Sequence, residues 1–373
     1  MNPNKLLTLF DLYCDFPEPV LQFYRNVHTI FRNQGISPID RTDAIIPPLN
    51  FAIPKEYQLQ GKDFTSNLSY KDCCTNKVEQ IVNLQDKLQK QILINWSGGL
   101  DSTAIICAFI SALGLTESVR RLTISLSPHA VYEYPLFFKK FILPNFNIKN
   151  SLSLFQNDPT DYIVVDGEPN GAICGPELLL LWATALGDDF LKKQITLENI
   201  ETALKCRVNQ IPKKYVAVLN ETVMQSSRSI GLDLTDMSEW MWWQNFNFRI
   251  LWYRYKLPIL YASERMTYKT ANISWDDYYI NFFFDDDFQA WSINNRDRYH
   301  EYVMPGKWKL PVKEVIFDVT KDNDYKLRKG KVTSIDYLTL KDSVFAIDSD
   351  YHTVTKEKLH VYLNDKNYYS DWM

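Results

Sequence analysis

The chain reads as an α/β protein built on a parallel sheet, and three features predict this. The apolar run Ile92–Trp96 ends in a glycine-containing turn, and a helical pattern, "DSTAIICAFISAL", starts at once. A second strand-like run, "RRLTISLS", follows. A third, Tyr162–Val165, closes on another glycine-bearing turn, "DGEPNGAICG". Strand–helix–strand–helix–strand at this spacing implies parallel strands joined by right-handed crossovers, with helices on both faces. Ligands of such sheets sit beyond the carboxyl ends of the strands, so both glycine turns are expected to face one crevice.

The elements follow in order. "FPEPVLQFYRNVHTIFRN" reads as a helix, and "IIPPLNFAIPKEYQLQGKDF" as an extended segment broken by proline. "YKDCCTNKVEQIVNLQDKLQK" is a helix leading into the first strand, with Cys73 and Cys74 divided between surface and core. "VYEYPLFFKKFI" reads as a helix between the second and third strands. Beyond Leu178 the pattern is helical: "TLENIETALKCR", "KKYVAVLNETVMQSSRSIG" and "DMSEWMWWQNFNFRILWYRYK". The last of these opens with Asp236 and Glu239 at capping-box spacing. Its aromatic and apolar side chains, among them Trp240, Trp243, Phe248, Leu251, Trp252 and Tyr255, recur every three to four residues. That pattern marks a buried helix, with a base-stacking platform as the alternative. "DSVFAIDSD" and "KLHVYLND" in the tail read as short strands. The expected organisation is an N-terminal extension (1–74), a nucleotide-binding domain (75–331) and a tail (332–373).

Composition bounds the function. The 373 residues carry a formal net charge of -4, which argues against a general nucleic-acid binder. Mean hydropathy is -0.27, and no apolar run approaches the roughly 18 residues of a membrane span. The N-terminus lacks a signal-peptide pattern. Six cysteines occur without a C-x-x-C pair, which gives little support to a zinc ribbon or iron–sulfur cluster. A reducing cytoplasm and small-molecule substrates are expected. The five histidines are scattered without metal-ligand spacing.

The chemistry is concentrated in Ser97-Gly98-Gly99-Leu100-Asp101-Ser102. A strand, small residues and a helix start bring backbone N–H groups and a helix dipole to one point, which is an anion site. Gly98 and Gly99 allow close backbone approach to a phosphate, and Ser97 and Ser102 add hydroxyls. Asp101 would repel a bare phosphate and makes most sense as a magnesium ligand. No Gly-Lys-Ser/Thr follows, and G-x-G-x-x-G is absent.

The hexapeptide resembles the S-G-G-x-D-S signature of the PP-loop, or N-type, ATP pyrophosphatases, which carry a HUP-like parallel-sheet domain. Within them it looks most like the synthetase domain of asparagine synthetases and β-lactam synthetases. The resemblance covers roughly residues 75–330. It implies ATP bound with its phosphates on Ser97–Ser102, its adenine against backbone near Ile94 and Ile124, and Mg2+ on Asp101. It also implies an AMP-forming ligase: a carboxylate or similar oxygen is adenylated, pyrophosphate leaves, and ammonia or an amine displaces AMP. Glu168 matches the glutamate that takes a proton from the amine. Lys313 matches the lysine that stabilises developing charge, with Lys309 second. "FFFDDDFQAWSINN" loosely resembles a further conserved region of that family.

The chain departs from the family at three points. Gly171 and Ala172 stand where the family has its second magnesium aspartate and a glutamate; Glu177 or Asp166 are the nearby acids that could substitute. Residue 2 is Asn2, and only about 90 residues precede the loop, so the glutaminase domain of glutamine-dependent relatives does not fit. The resemblance therefore implies a stand-alone synthetase domain, a build also familiar from bacteriophages. "DYKLRKGK" reads as a solvated basic cluster, with contact to phosphate as the alternative. Two other functions stay open: a nucleobase-modifying PP-loop enzyme, for which the clustered cysteines are missing, and a non-catalytic nucleotide-binding protein, which the Gly171–Ala172 replacement motivates.

Overall fold

A computed structural model describes residues 40–42, 57–126, 128–150, 161–174, 177–206, 213–248, 250, 278–303, 307–329, 346–347 and 353–354. In chain order its elements are α1 (Tyr70–Leu88), β1 (Gln91–Trp96), α2 (Leu100–Leu113), α3 (Leu115–Arg121), β2 (Leu122–Leu126), α4 (Pro128–Glu133), α5 (Pro135–Phe137), β3 (Asn147–Asn150) and β4 (Tyr162–Asp166). These are followed by α6 (Asn170–Ile173), α7 (Glu177–Leu186), α8 (Leu197–Lys205), α9 (Lys213–Ser229), α10 (Met237–Phe248), β5 (Tyr279–Asn281), α11 (Asp286–Asn294), α12 (Tyr299–Tyr302), α13 (Leu310–Thr320), α14 (Asn323–Arg328), β6 (Ala346–Ile347) and β7 (Thr353–Val354).

The chain divides into two interleaved units. Unit A comprises 69–167, 274–282 and 305–373; unit B comprises 1–68, 168–273 and 283–304. The chain passes between them at 68/69, 167/168, 273/274, 282/283 and 304/305. The main reason is that β5, far along the chain, completes a sheet begun by β1.

Unit A holds a five-stranded, all-parallel sheet in the order β3-β2-β1-β4-β5. Ile92, Leu93 and Ile94 of β1 are all buried, as expected for a central parallel strand covered on both faces. The strand order reverses between β1 and β4, which makes their carboxyl ends the switch-point crevice of the sheet. α1 is fixed by a complete capping box: Ser69 Oγ accepts from Asp72 N, and the Asp72 carboxylate accepts from Ser69 N. Cys73 and Cys74 are both buried, so the expected surface position for one of them is not found. α13 packs along α2.

Three of the described strands escaped the sequence reading, β3, β5 and β7. The predicted helix "VYEYPLFFKKFI" is broken: α4 ends at Glu133, Pro135 starts α5, and a π-helical turn runs over Phe138–Ile142. Arg120 and Arg121, read as strand, close α3. The tail forms a small antiparallel pair, β6 with β7, while "KLHVYLND" lies outside the described residues. The predicted N-terminal helix lies outside them too.

Unit B is helical. All twelve residues of α10 are buried. Each of its indole N–H groups is paired: Trp240 to Asn220 Oδ1 (3.1 Å), Trp242 to Ser292 Oγ (3.0 Å) and Trp243 to Ser226 Oγ (2.8 Å). Buried, paired indoles present no stacking platform, so the core reading holds for 237–248; Leu251, Trp252 and Tyr255 lie outside the described residues. Asp236 caps the helix by accepting from Glu239 N (2.9 Å), but the Glu239 carboxylate accepts from Thr235 N (2.7 Å). The box is thus displaced by one residue. Arg41 is fully buried and donates to Tyr57 O (2.7 Å), Phe246 O (2.7 Å) and Gln289 Oε1. Residues 40–42 are buried in unit B. Among the described residues no single helix is long and apolar enough to cross a membrane.

Candidate phosphate-binding site

The loop after β1 is braced from within. Ser102 Oγ accepts from Ser97 N (3.0 Å) and lies 3.1 Å from Ser97 Oγ; Ser97 Oγ accepts from Gly99 N (3.3 Å). Trp96 Nε1 donates to Thr103 Oγ1 (3.0 Å), which fixes the strand end to the first turn of α2. The two serines predicted to meet a ligand therefore shape the loop first. Gly99 caps α2 with no side-chain hydrogen bond, so the first-turn amides have no side-chain cap and no intrahelical acceptor.

Gly98 has φ +80°, a region that L side chains rarely adopt. A Cβ there would stand 2.1 Å from Ala130 O and 2.7 Å from Glu133 Cβ. A Cβ on Gly99 would stand 3.3 Å from Glu133 Oε1. The glycines thus admit α4, and the Glu133 carboxylate lies over the pair.

Three lysines in the later part of unit A are buried, Lys309 (4% exposed), Lys313 (1%) and Lys329 (3%), and two of them, Lys309 and Lys329, reach the carboxylates at this loop. Lys309 Nζ lies 2.7 and 2.9 Å from the two Asp101 oxygens. It caps α13 with φ 47°, in the left-handed region. Lys329 Nζ donates to Glu133 Oε1 (3.0 Å). Lys313 follows Lys309 by one helical turn and feels the Lys329 charge. Burial first, and Lys329 second, push its ammonium down to about 8. A tether positions Lys329: Tyr134 OH donates to Asp322 Oδ2 (3.0 Å), Asp322 caps α14, and Tyr134 stacks on Tyr325 at 3.7 Å between ring centroids. Burial and the Asp322 charge hold the Tyr134 hydroxyl well above its ordinary range.

Of the residues predicted from sequence, Ser97, Gly98, Gly99, Leu100, Asp101 and Ser102 form the loop and helix start as expected. Leu100 is buried. Ile94 and Ile124 are register partners on neighbouring strands, with fully buried side chains. One row nearer the loop, Asn95 and Ser125 are also partners, and Asn95 Oδ1 and Ser125 Oγ are buried without a hydrogen-bond partner. Lys309, second in the sequence reading, is the lysine that touches the loop carboxylate; Lys313 lies a turn further on.

Glu168 follows β4 by two residues and opens unit B, half-buried. Gly171 lies in α6 with open space around a notional Cβ, and Ala172 is buried. Asp166 is buried and accepts from Asn281 Nδ2 (2.7 Å). The side chain of Glu177 lies outside the described residues.

Lys329 corrects the view of "DYKLRKGK" as a solvated face: Arg328 is exposed, Lys329 is buried, and Lys331 lies outside the described residues. Glu133, Lys329, Asn95 and Ser125 were missed. The polar pair in otherwise apolar strands was the available signal for the last two.

Magnesium, implied by the resemblance, can be tested against the donor set. Asp101 supplies hard carboxylate oxygens beside the helix start, but both accept from Lys309, so it takes a metal only once that ion pair opens. No family model, curated protein or solved structure matches the chain.

Proposed function

We propose that the protein is an ATP-dependent, AMP-forming ligase whose phosphate site is the Ser97–Ser102 loop. The observation that carries this reading is the Asp101–Lys309 pair on a glycine loop, at the switch point of a β3-β2-β1-β4-β5 parallel sheet. The loop puts helix-start amides at the crevice, and two buried lysines, Lys309 and Lys329, bring positive charge to the same place. Polyphosphate charge is the natural complement to such a cluster.

In this reading the β- and γ-phosphates of ATP lie on the loop. Lys309 passes from Asp101 to a phosphate oxygen, and Asp101 is then the residue that would hold Mg2+, whose chemistry there is neutralisation of phosphate charge. A small-molecule carboxylate attacks the α-phosphorus, the bond to the bridging oxygen breaks, and pyrophosphate leaves with the electron pair. An amine then attacks the acyl carbon, loses a proton to a general base, and AMP departs. Lys309 and Lys313 steady the developing negative charge.

The products decide the matter. Incubation with ATP, Mg2+ and a metabolite extract should yield AMP, pyrophosphate and a new amide. ADP and orthophosphate as main products would sink this reading. Nucleotide binding without turnover is the second reading, favoured by one observation: Asp101 is engaged by Lys309 while Gly171 replaces the second acid. Tight ATP binding with no product of either kind would select it.

A further inference from the structure

Two carboxylates and two ammoniums, those of Lys309 and Lys329, meet at the loop. One of the carboxylates, Asp101, belongs to the loop itself. The other, Glu133, arrives from α4. Its Oε1 stands 3.3 Å from the place of a Gly99 Cβ, and its own Cβ stands 2.7 Å from the place of a Gly98 Cβ. The space that the two glycines leave open is therefore filled by a side chain carrying an anion. That anion is held by Lys329, which is almost fully buried and reaches Glu133 through both its carboxylate (3.0 Å) and its backbone carbonyl (3.4 Å).

A glycine loop at a helix start attracts anions. A buried lysine needs one. The Glu133 carboxylate serves both.

We infer that Glu133 is an internal stand-in for a nucleotide phosphate group, and that Lys329 is a phosphate-binding residue which Glu133 surrenders when the polyphosphate arrives. This rests on the loop being a phosphate site, and it names a residue pair that the resemblance does not supply. The exchange is electrostatic only, with no bond made or broken. The carboxylate leaves the glycine pair, a phosphate oxygen takes its place, and Lys329 changes partner. Glu133 ends α4, so a small shift of that six-residue helix frees the loop. Glu133 thereby lowers anion affinity: incoming polyphosphate must displace a like charge as well as dock.

The test is pyrophosphate and ATP binding by calorimetry to the full chain, with the wild type, Glu133→Gln, Glu133→Ala and Lys329→Met. Removing a charge a few ångströms from the ligand should tighten pyrophosphate binding on the order of tenfold in Glu133→Gln. Glu133→Ala gives the same sign without any side-chain acceptor, and serves if the glutamine variant fails to fold. Lys329→Met should weaken binding by a similar factor. Wild-type binding with no tightening in either folded Glu133 variant overturns the inference and leaves the phosphate site standing. Weaker binding in both Glu133 variants also overturns it, because Glu133 would then be helping to hold the ligand. Absence of binding in every folded variant overturns the phosphate site, and this inference with it.

Discussion

Lys309 Nζ lies within 2.9 Å of both Asp101 oxygens, across 208 residues of sequence. The residue that delivers this ammonium is in the left-handed backbone region, which costs a non-glycine residue roughly 1–2 kcal/mol. Strain of this kind persists where the surroundings over-determine it. Here Pro311 in the first turn of α13 and the packing of α13 on α2 do so.

Asp101→Ala should abolish turnover. It should also destabilise the protein by about 1–3 kcal/mol, because the nearly buried Lys309 ammonium loses its acceptor. The ion pair with Lys309 gives Asp101 a structural role beside its expected place as a magnesium ligand. Lys309→Met added to Asp101→Ala should restore most of the lost stability, since no unpaired charge then remains. Urea unfolding of the two single variants and the double variant checks this. Strict additivity of the losses would contradict it.

Lys313 gives the site a pH dependence whose sign can be worked out. Its pKa falls from 10.5 to about 8 on folding. Between those values the unfolded chain holds a proton that the folded chain has released, so stability contributed by this group rises with pH across the window. Anion binding runs the opposite way: polyphosphate affinity should fall as pH rises through about 8. Lys313→Met should flatten both profiles. Titrations of melting temperature and ATP affinity from pH 7 to 10 would show it, and unchanged profiles in the variant would exclude Lys313 as the source.

Gly98 and Gly171 should respond oppositely to substitution. Gly98→Ala meets both a positive φ and the Ala130 carbonyl, and should cost about 2 kcal/mol or more. Gly171 has φ outside the left-handed region and nothing within 4 Å of a notional Cβ. Gly171→Asp, which supplies the acid that the resemblance to the asparagine synthetases implies here, should therefore fold with a stability change below about 1 kcal/mol. Circular dichroism melts of the two variants compare them directly. Loss of folding in Gly171→Asp would show that α6 is more confined than its geometry indicates.

Much of the sheet was legible because β1, β2 and β4 are apolar and bounded by turns. β3, "NIKN", and β5, "YIN", were not. They are too short and too polar to show a period, and they are strands because of the neighbours they pair with. The loop was legible as a motif because its function depends on residues adjacent in sequence. Glu133 and Lys329 are separated by 196 residues, and nothing local marks either as a partner. Lys329 sits in a run of basic residues that looks solvated as a whole, although the tether through Tyr134 and Asp322 buries this one member. The choice between Lys309 and Lys313 likewise turned on a left-handed residue at the start of α13, which spacing alone does not reveal.

The location of bound nucleotide tests the central claim most directly. Amide hydrogen exchange of the full chain should be measured with and without ATP. Protection is expected at the loop and first turn of α2, residues 97–103, together with the start of α13, residues 309–313, because both gain a ligand that the helix-start amides and Lys309 share. ATP binding that leaves these amides unchanged while protecting a different part of the chain would contradict the assignment of this loop as the phosphate site.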